Sequence, residues 1–192
     1  MATRNCPTCK QAIEVEPILV VRVVHDDNAE SPRYWDNLGV IATWHRRYNL
    51  GDEQPKCEPQ EWLKDNAPKG SVVLPVFMID HSGIALSTGS FGDPWDSGQL
   101  GWIVATPDAI RKNFMTKRIT KKVREKVELC LKSEIATYSS YVEGDVWGFV
   151  VEDEVGNHVD SCWGFIGDDL DNMKDHIGKD LAEKLDEAWS NR

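Results

Sequence analysis

The residues best able to do chemistry in this chain sit in polar, aromatic, glycine-containing stretches. Trp35 and Asp36 precede one apolar run, and His45, Arg46 and Arg47, with Tyr48, follow it. Asp80, His81 and Ser82 close another run, while Asp93, Trp95, Asp96, Ser97 and Gln99 fill a third polar stretch. Aromatic and charged side chains in loops on a rigid scaffold commonly form binding surfaces. The competing reading is that the rings cap the core and the aspartates accept backbone N–H groups in turns. The candidate ligand- or partner-binding set is Trp35, Asp36, His45, Arg46, Arg47, Asp80, His81, Asp93, Trp95 and Asp96. Of these, Trp35, His45, Arg46, Trp95 and Asp96 are expected to meet in one neighbourhood.

Each group suggests a chemistry. Two adjacent guanidinium forks, Arg46 and Arg47, could grip a phosphate or carboxylate in bidentate fashion; alternatively they pair with Asp36, Asp93 or Asp96 inside the fold. Asp80 and His81 could supply a base or a metal ligand. No zinc-hydrolase helix motif, phosphate-cradling loop or nucleophile elbow is present, so no catalytic residue is assigned. Cys6-Pro7-Thr8-Cys9 has the spacing of half a zinc site. A closed site would need two more ligands, from His158, Cys162, Cys57 or His25. Zinc held by Cys6 and Cys9 is thus the one cofactor considered, against a pair of free thiols.

Charge narrows the partners. The 192-residue chain carries a formal net charge of −10, unevenly spread. Residues 111–142 hold nine bases and three acids, whereas residues 143–192 hold four bases and fourteen acids. An acidic protein repels phosphate, which disfavours general nucleic-acid binding. The basic segment of Arg111, Lys112, Lys117, Arg118, Lys121, Lys122, Arg124 and Lys126 is expected to pair with the acidic C-terminal helix of the same or a neighbouring chain. Five cysteines, an odd and scattered set, fit a reducing compartment. With no apolar signal core after Met1 and no run of about 18 apolar residues, the expectation is a cytoplasmic protein without a membrane partner.

The elements that must position these residues are legible from periodicity and punctuation. Strands are expected over Ile18–Val24 (buried), Leu38–Trp44, Ser71–Ile79 and Gly101–Ala105, with Gly83–Leu86 returning as a hairpin and residues 87–98 as a loop. Pro75 suggests an edge position or a bulge. A short helix is expected over Glu58–Asn66 with Trp62 and Leu63 inward, and another from Pro107 with Thr106 as N-cap. Val123, Val127, Leu131, Ile135 and Tyr138 recur at three- and four-residue spacings, giving the strongest helix, Thr120–Tyr141. Val146–Val151 and His158–Phe165 read as an antiparallel pair turning at Gly156-Asn157. A C-terminal helix over Asp168–Trp189 carries the stripe Leu170, Met173, Ile177, Leu181, Leu185 and Trp189. The fold class is α+β: a mainly antiparallel sheet packed by two longer C-terminal helices, with residues 1–16 as a knuckle or arm and 17–192 as one domain.

Several segments carry a resemblance: Tyr34-Trp35-Asp36-Asn37-Leu38-Gly39, Trp44-His45-Arg46-Arg47-Tyr48, Asp93-Pro94-Trp95-Asp96-Ser97-Gly98-Gln99, Arg118-Ile119-Thr120-Lys121-Lys122 and Asp160-Ser161-Cys162-Trp163-Gly164. Together they resemble a family of uncharacterised bacteriophage and mobile-element proteins, over about residues 34–166. The resemblance implies a phage accessory protein made inside a bacterium, and no catalytic roles. The preferred reading is a non-enzymatic protein that binds and modulates a host protein, with a defence component as one class of target. The alternatives are a binder of a small phosphorylated ligand at His45, Arg46 and Arg47, and a metal-assisted hydrolase using Asp80, His81, Asp93 and Asp96.

Overall fold

Strands and helices follow one another in short runs along the chain, as the punctuation demands. The computed structural model describes residues 18–93 and 95–192, and the main chain alone of residues 2–5 and 12–15. The first two strands, β1 (Ala2–Asn5) and β2 (Ala12–Val15), pair antiparallel; Cys6 and Cys9, the tentative metal ligands, lie outside the described residues. After β3 (Leu19–His25) and a single 3-10 turn at Pro32–Tyr34 come β4 (Val40–Thr43) and α1 (Pro59–Asn66). Then follow β5 (Val72–Asp80), β6 (Ile84–Ser87), β7 (Ser97–Ala105), α2 (Pro107–Asn113) and α3 (Lys121–Glu143). The chain closes with β8 (Val146–Asp153), β9 (His158–Ile166), α4 (Leu170–Ile177) and α5 (Ala182–Ser190). All strand pairing in the sheets is antiparallel, and the class is α+β.

Where the sequence reading drew one domain over 17–192, the chain clusters into two compact units, residues 30–145 and residues 1–29 with 146–192. The first unit holds the four-stranded sheet β4-β7-β5-β6. α3 covers one face of it, burying Val127, Leu131, Ile135 and Tyr138 among Ile41, Val76, Leu86 and Ile103. The stripe read from spacing is thus the buried stripe. Both ends of α3 are capped as helix chemistry requires: the Thr120 side chain accepts from Val123 N–H, and Gly144 takes the left-handed conformation at the C-terminus. Thr106 caps α2 in the same way. The opposite face of the sheet packs Ala42 and Val104 on Trp62 of α1.

Pro75 lies where β5 can tolerate it. β6 pairs only with Phe77–Asp80, so at Pro75 one side of β5 is open, and a bulge follows at Val76/Phe77. β7 begins at Ser97, inside the stretch expected to be loop, because its pairing with β5 continues through that bulge to Ser97↔Ile79.

The second unit holds the sheet β3-β8-β9. Phe149, Val151 and Phe165 pack there with Met173, Ile177, Leu185 and Trp189. β3, read as a buried strand, is buried on one side only: Val21 is in the core while Val20 and Val24 are exposed. The single C-terminal helix expected over Asp168–Trp189 is instead α4, a 3-10 turn at Lys179–Leu181, and α5. Gly178 causes the break: its φ of 88° and ψ of 152° lie outside any helical region and cost little only for glycine. Each half keeps its part of the apolar stripe.

Candidate functional site

In the unit of residues 30–145, three separate segments converge on a cleft of about 400 Å³ lined by His45, Arg47, Asp80, Trp95, Asp96 and the start of β7. The segment after β4 supplies His45 and Arg47, the end of β5 supplies Asp80, and the 93–96 turn supplies Trp95 and Asp96. Met78 and Leu100, both buried, form its apolar floor.

Tyr48 organises one wall. Its ring stacks on His45 at 5.0 Å with 6° between planes, and the Arg47 guanidinium lies 5.3 Å above its centre. Its hydroxyl donates to Asp80 at 3.0 Å, and Arg47 Nη1 stands 3.8 Å from the same carboxylate oxygen. The hydrogen bond to Asp80 holds the Tyr48 phenol above its ordinary pKa. His45 Nδ1 accepts from the N–H groups of Arg47 and Tyr48, so the neutral ring carries its proton on Nε2. On the other wall, His81 Nδ1 donates to Asp96 at 2.9 Å. Asp93 accepts from the N–H groups of Trp95, at 2.8 Å, and Asp96. Those two bonds, the one to Trp95 foremost, hold its carboxyl below the usual range.

That cap makes a testable expectation. Because the folded pKa of Asp93 is depressed, its contribution is complete above the unfolded value, near 4, and is lost as pH falls through the folded value. The amides of Trp95 and Asp96 should stay protected from hydrogen exchange at pH 5 and lose protection only as the pH falls below the ordinary carboxylate range. In Asp93→Ala they should be unprotected already at pH 5.

The remaining candidates lie elsewhere. Trp35 borders a small cavity beside Cys130 and Glu134 of α3. Asp36 borders another with Lys112 and Met115. Arg46 is exposed and does not line the cleft. The paired fork expected of Arg46 and Arg47 is therefore not assembled, and an anion in the cleft would meet the carboxylates of Asp80 and Asp96. Arg47 takes Asp80 as partner rather than Asp36, Asp93 or Asp96.

The hydrolase reading needed converging metal ligands. Among the described residues no group of three or more His, Cys, Asp or Glu could hold a metal ion. Asp80, Asp93 and Asp96 are instead each engaged by neighbouring donors. Of the further zinc ligands considered, His158 bonds Ser161 and His25 bonds Asp27, while Cys57 and Cys162 are free thiols. A larger cavity, about 520 Å³, in the other unit is lined by Ile18, Leu19, Ile177 and Leu181. Its Lys184 already donates to the Leu19 carbonyl, so it offers less converging chemistry.

Two residues of the basic segment have local partners. Arg111 pairs with Asp108 one turn earlier, and Arg124 donates to the carbonyls of Gly70 and Ser71. Lys174 pairs with Asp186 within the acidic C-terminal region.

Sequence reasoning missed a buried cluster in the same unit. The Arg33 side chain, 6% exposed, bonds Asp52 through Nε and Nη2, Glu134 through Nη1 and the Gly39 carbonyl through Nη2. Glu134 also accepts from Leu38 and Gly39 N–H, and Asp52 from Ile41 N–H. Burial acts to lower the Arg33 pKa, but the two carboxylates outweigh it and hold the value above normal. Every acceptor in this cluster is satisfied, which gives it a structural role rather than that of a ligand site.

Comparison of the chain with protein-family models, with curated proteins and with solved structures finds no match.

Proposed function

We propose that this chain is a non-enzymatic binding protein, and that the cleft beside Trp95 is the surface by which it takes a partner protein. One observation carries the reading. Trp95 is 92% exposed, at the rim of a concave, mixed-charge cleft on the end of a rigid sheet. An indole left in water is costly unless a partner covers it, and tryptophan flanked by arginine is the usual composition of an interface anchor. The resemblance to phage and mobile-element proteins supports a host protein as that partner, with components of host defence the first class to examine. The acidic surface of the chain suits a basic partner.

The test is capture from nuclease-treated bacterial lysate on immobilised protein, comparing wild type, Trp95→Ala and Met115→Ala. Met115 is as exposed as Trp95 but lines a different cavity. Trp95→Ala should weaken capture by about thirtyfold or more, the effect of losing an aromatic anchor. Its unfolding midpoint should not move, and Met115→Ala should behave as wild type. Equal capture by Trp95→Ala, or capture that disappears with nuclease, would overturn the proposal.

A further inference from the structure

The cleft has a second property, which lies in the main chain. β7 is paired with β5 along its whole length, from Val72↔Ala105 to Ile79↔Ser97. On its other side β4 reaches only to Thr43↔Gly101, and the last bond on that side runs from Trp44 N–H to the Leu100 carbonyl. Residues Ser97–Gln99 are therefore strand with one flank uncovered.

The register shows which groups face that flank. Asp80 N–H donates to the Asp96 carbonyl, so Asp80/Asp96 and then Met78/Gly98 are hydrogen-bonded pairs, while Ile79/Ser97 and Phe77/Gln99 are not. The N–H and C=O of Gln99 and the C=O of Ser97 thus point away from β5. Among the described residues they find no main-chain partner. Gln99 and Gly98 are exposed, and a Cβ on Gly98 would meet nothing within 4 Å.

A cavity lies on each face of the sheet at this edge. The cleft of His45, Arg47, Asp80 and Trp95 opens on the face that carries buried Met78. A second cavity, about 240 Å³, is lined by Trp44, Gln60, Gln99 and Trp102 on the face that packs α1. A row of open backbone groups between two side-chain cavities is what an added strand requires: main-chain bonds give affinity, and alternate side chains fall to either side.

We propose that the partner is held as an extended segment that adds to β7 at Ser97–Gln99, in the lane beyond the end of β4. The proposal rests on reading this cleft as the binding surface, and it names the element bound. One set of alternate side chains is apolar and packs between Trp44 and Trp102. The other set is basic, because the cleft presents two carboxylates, Asp80 and Asp96, to one guanidinium, Arg47. The net charge of −10 favours the approach of such a segment.

The probe is a displayed library of random twelve-residue peptides, selected on the full chain, with enriched peptides then synthesised with blocked ends. Enriched sequences should alternate apolar and basic residues. Gln99→Pro removes an N–H that the pairing with β5 does not use, so the unit should stay folded. It should bind at least about tenfold more weakly, the loss of one or more backbone hydrogen bonds. As a check that needs no variant, N-methylation of alternate peptide amides should weaken binding to the wild type equally, and methylation of the intervening amides should not. Failure to enrich any peptide, enrichment without alternation, or unchanged binding by both Gln99→Pro and the methylated peptides overturns the strand. In the lysate experiment, a partner lost on Trp95→Ala but kept on Gln99→Pro removes the strand and leaves the binding surface; a partner kept on both removes both.

Discussion

Replacing Arg33 with alanine is expected to cost about 3–5 kcal/mol, enough to unfold much of the unit of residues 30–145 at 37 °C. The side chain is 6% exposed and Glu134 is 11% exposed, so both charges are held away from water. Arg33 ties three segments that are distant in the chain: its own 3-10 turn, the loop at Asp52, and α3 through Glu134. Removing the guanidinium leaves Asp52 and Glu134 as unpaired, closely placed carboxylates, and the Gly39 carbonyl without its donor. Lysine should not rescue, because one ammonium cannot span both carboxylates and the carbonyl as the planar fork does. Urea unfolding followed by circular dichroism checks this; a loss below about 1 kcal/mol for Arg33→Ala would show that the cluster is not what joins these segments.

Gly101→Ala should be nearly as damaging, at about 3 kcal/mol or more. β4 and β7 meet at Thr43↔Gly101, and a Cβ on residue 101 would overlap the Ala42 carbonyl and crowd the Thr43 main chain. The obstructing atoms belong to the β4 backbone, so no side-chain rotation relieves them. Either β4 moves away from β7 or the bulge beside Val76 shifts. Gly98→Ala, three residues earlier, meets open space and serves as the matched control, with an unfolding midpoint close to wild type. The same pair of variants bears on the strand-edge proposal, since a displaced β4 changes the lane beside Gln99 whereas the Gly98 change leaves it open.

How much of this was legible in the sequence depends on the range of the interaction. Caps, stripes and turns act within a few residues. The α3 stripe, the Thr106 cap and the turn at Gly156-Asn157 were therefore read correctly, and with them the α+β class. The polar stretches containing His45, Asp80 and Trp95 could be recognised by composition. Composition could not say that Arg47 and Asp80 share a cleft while Trp35 and Asp36 border other cavities.

What the tertiary structure alone decided involves partners far apart in the chain. Ser97 and Gly98 look like the end of a loop because they follow a stretch rich in Gly, Ser, Asp and Pro; they become strand because β5 offers a ladder that continues through a bulge. The helix expected over Asp168–Trp189 has a continuous apolar stripe, yet Gly178 adopts a conformation that no local pattern specified, and each half packs its own part of the stripe. Tyr48 reaches Asp80 across 32 residues and Arg33 reaches Glu134 across 101. Each of these residues is, in sequence, one charged or polar side chain among many. The packing of α3 holds Arg33 and Glu134 away from water, and the approach of the segment after β4 to the end of β5 brings Tyr48 to Asp80.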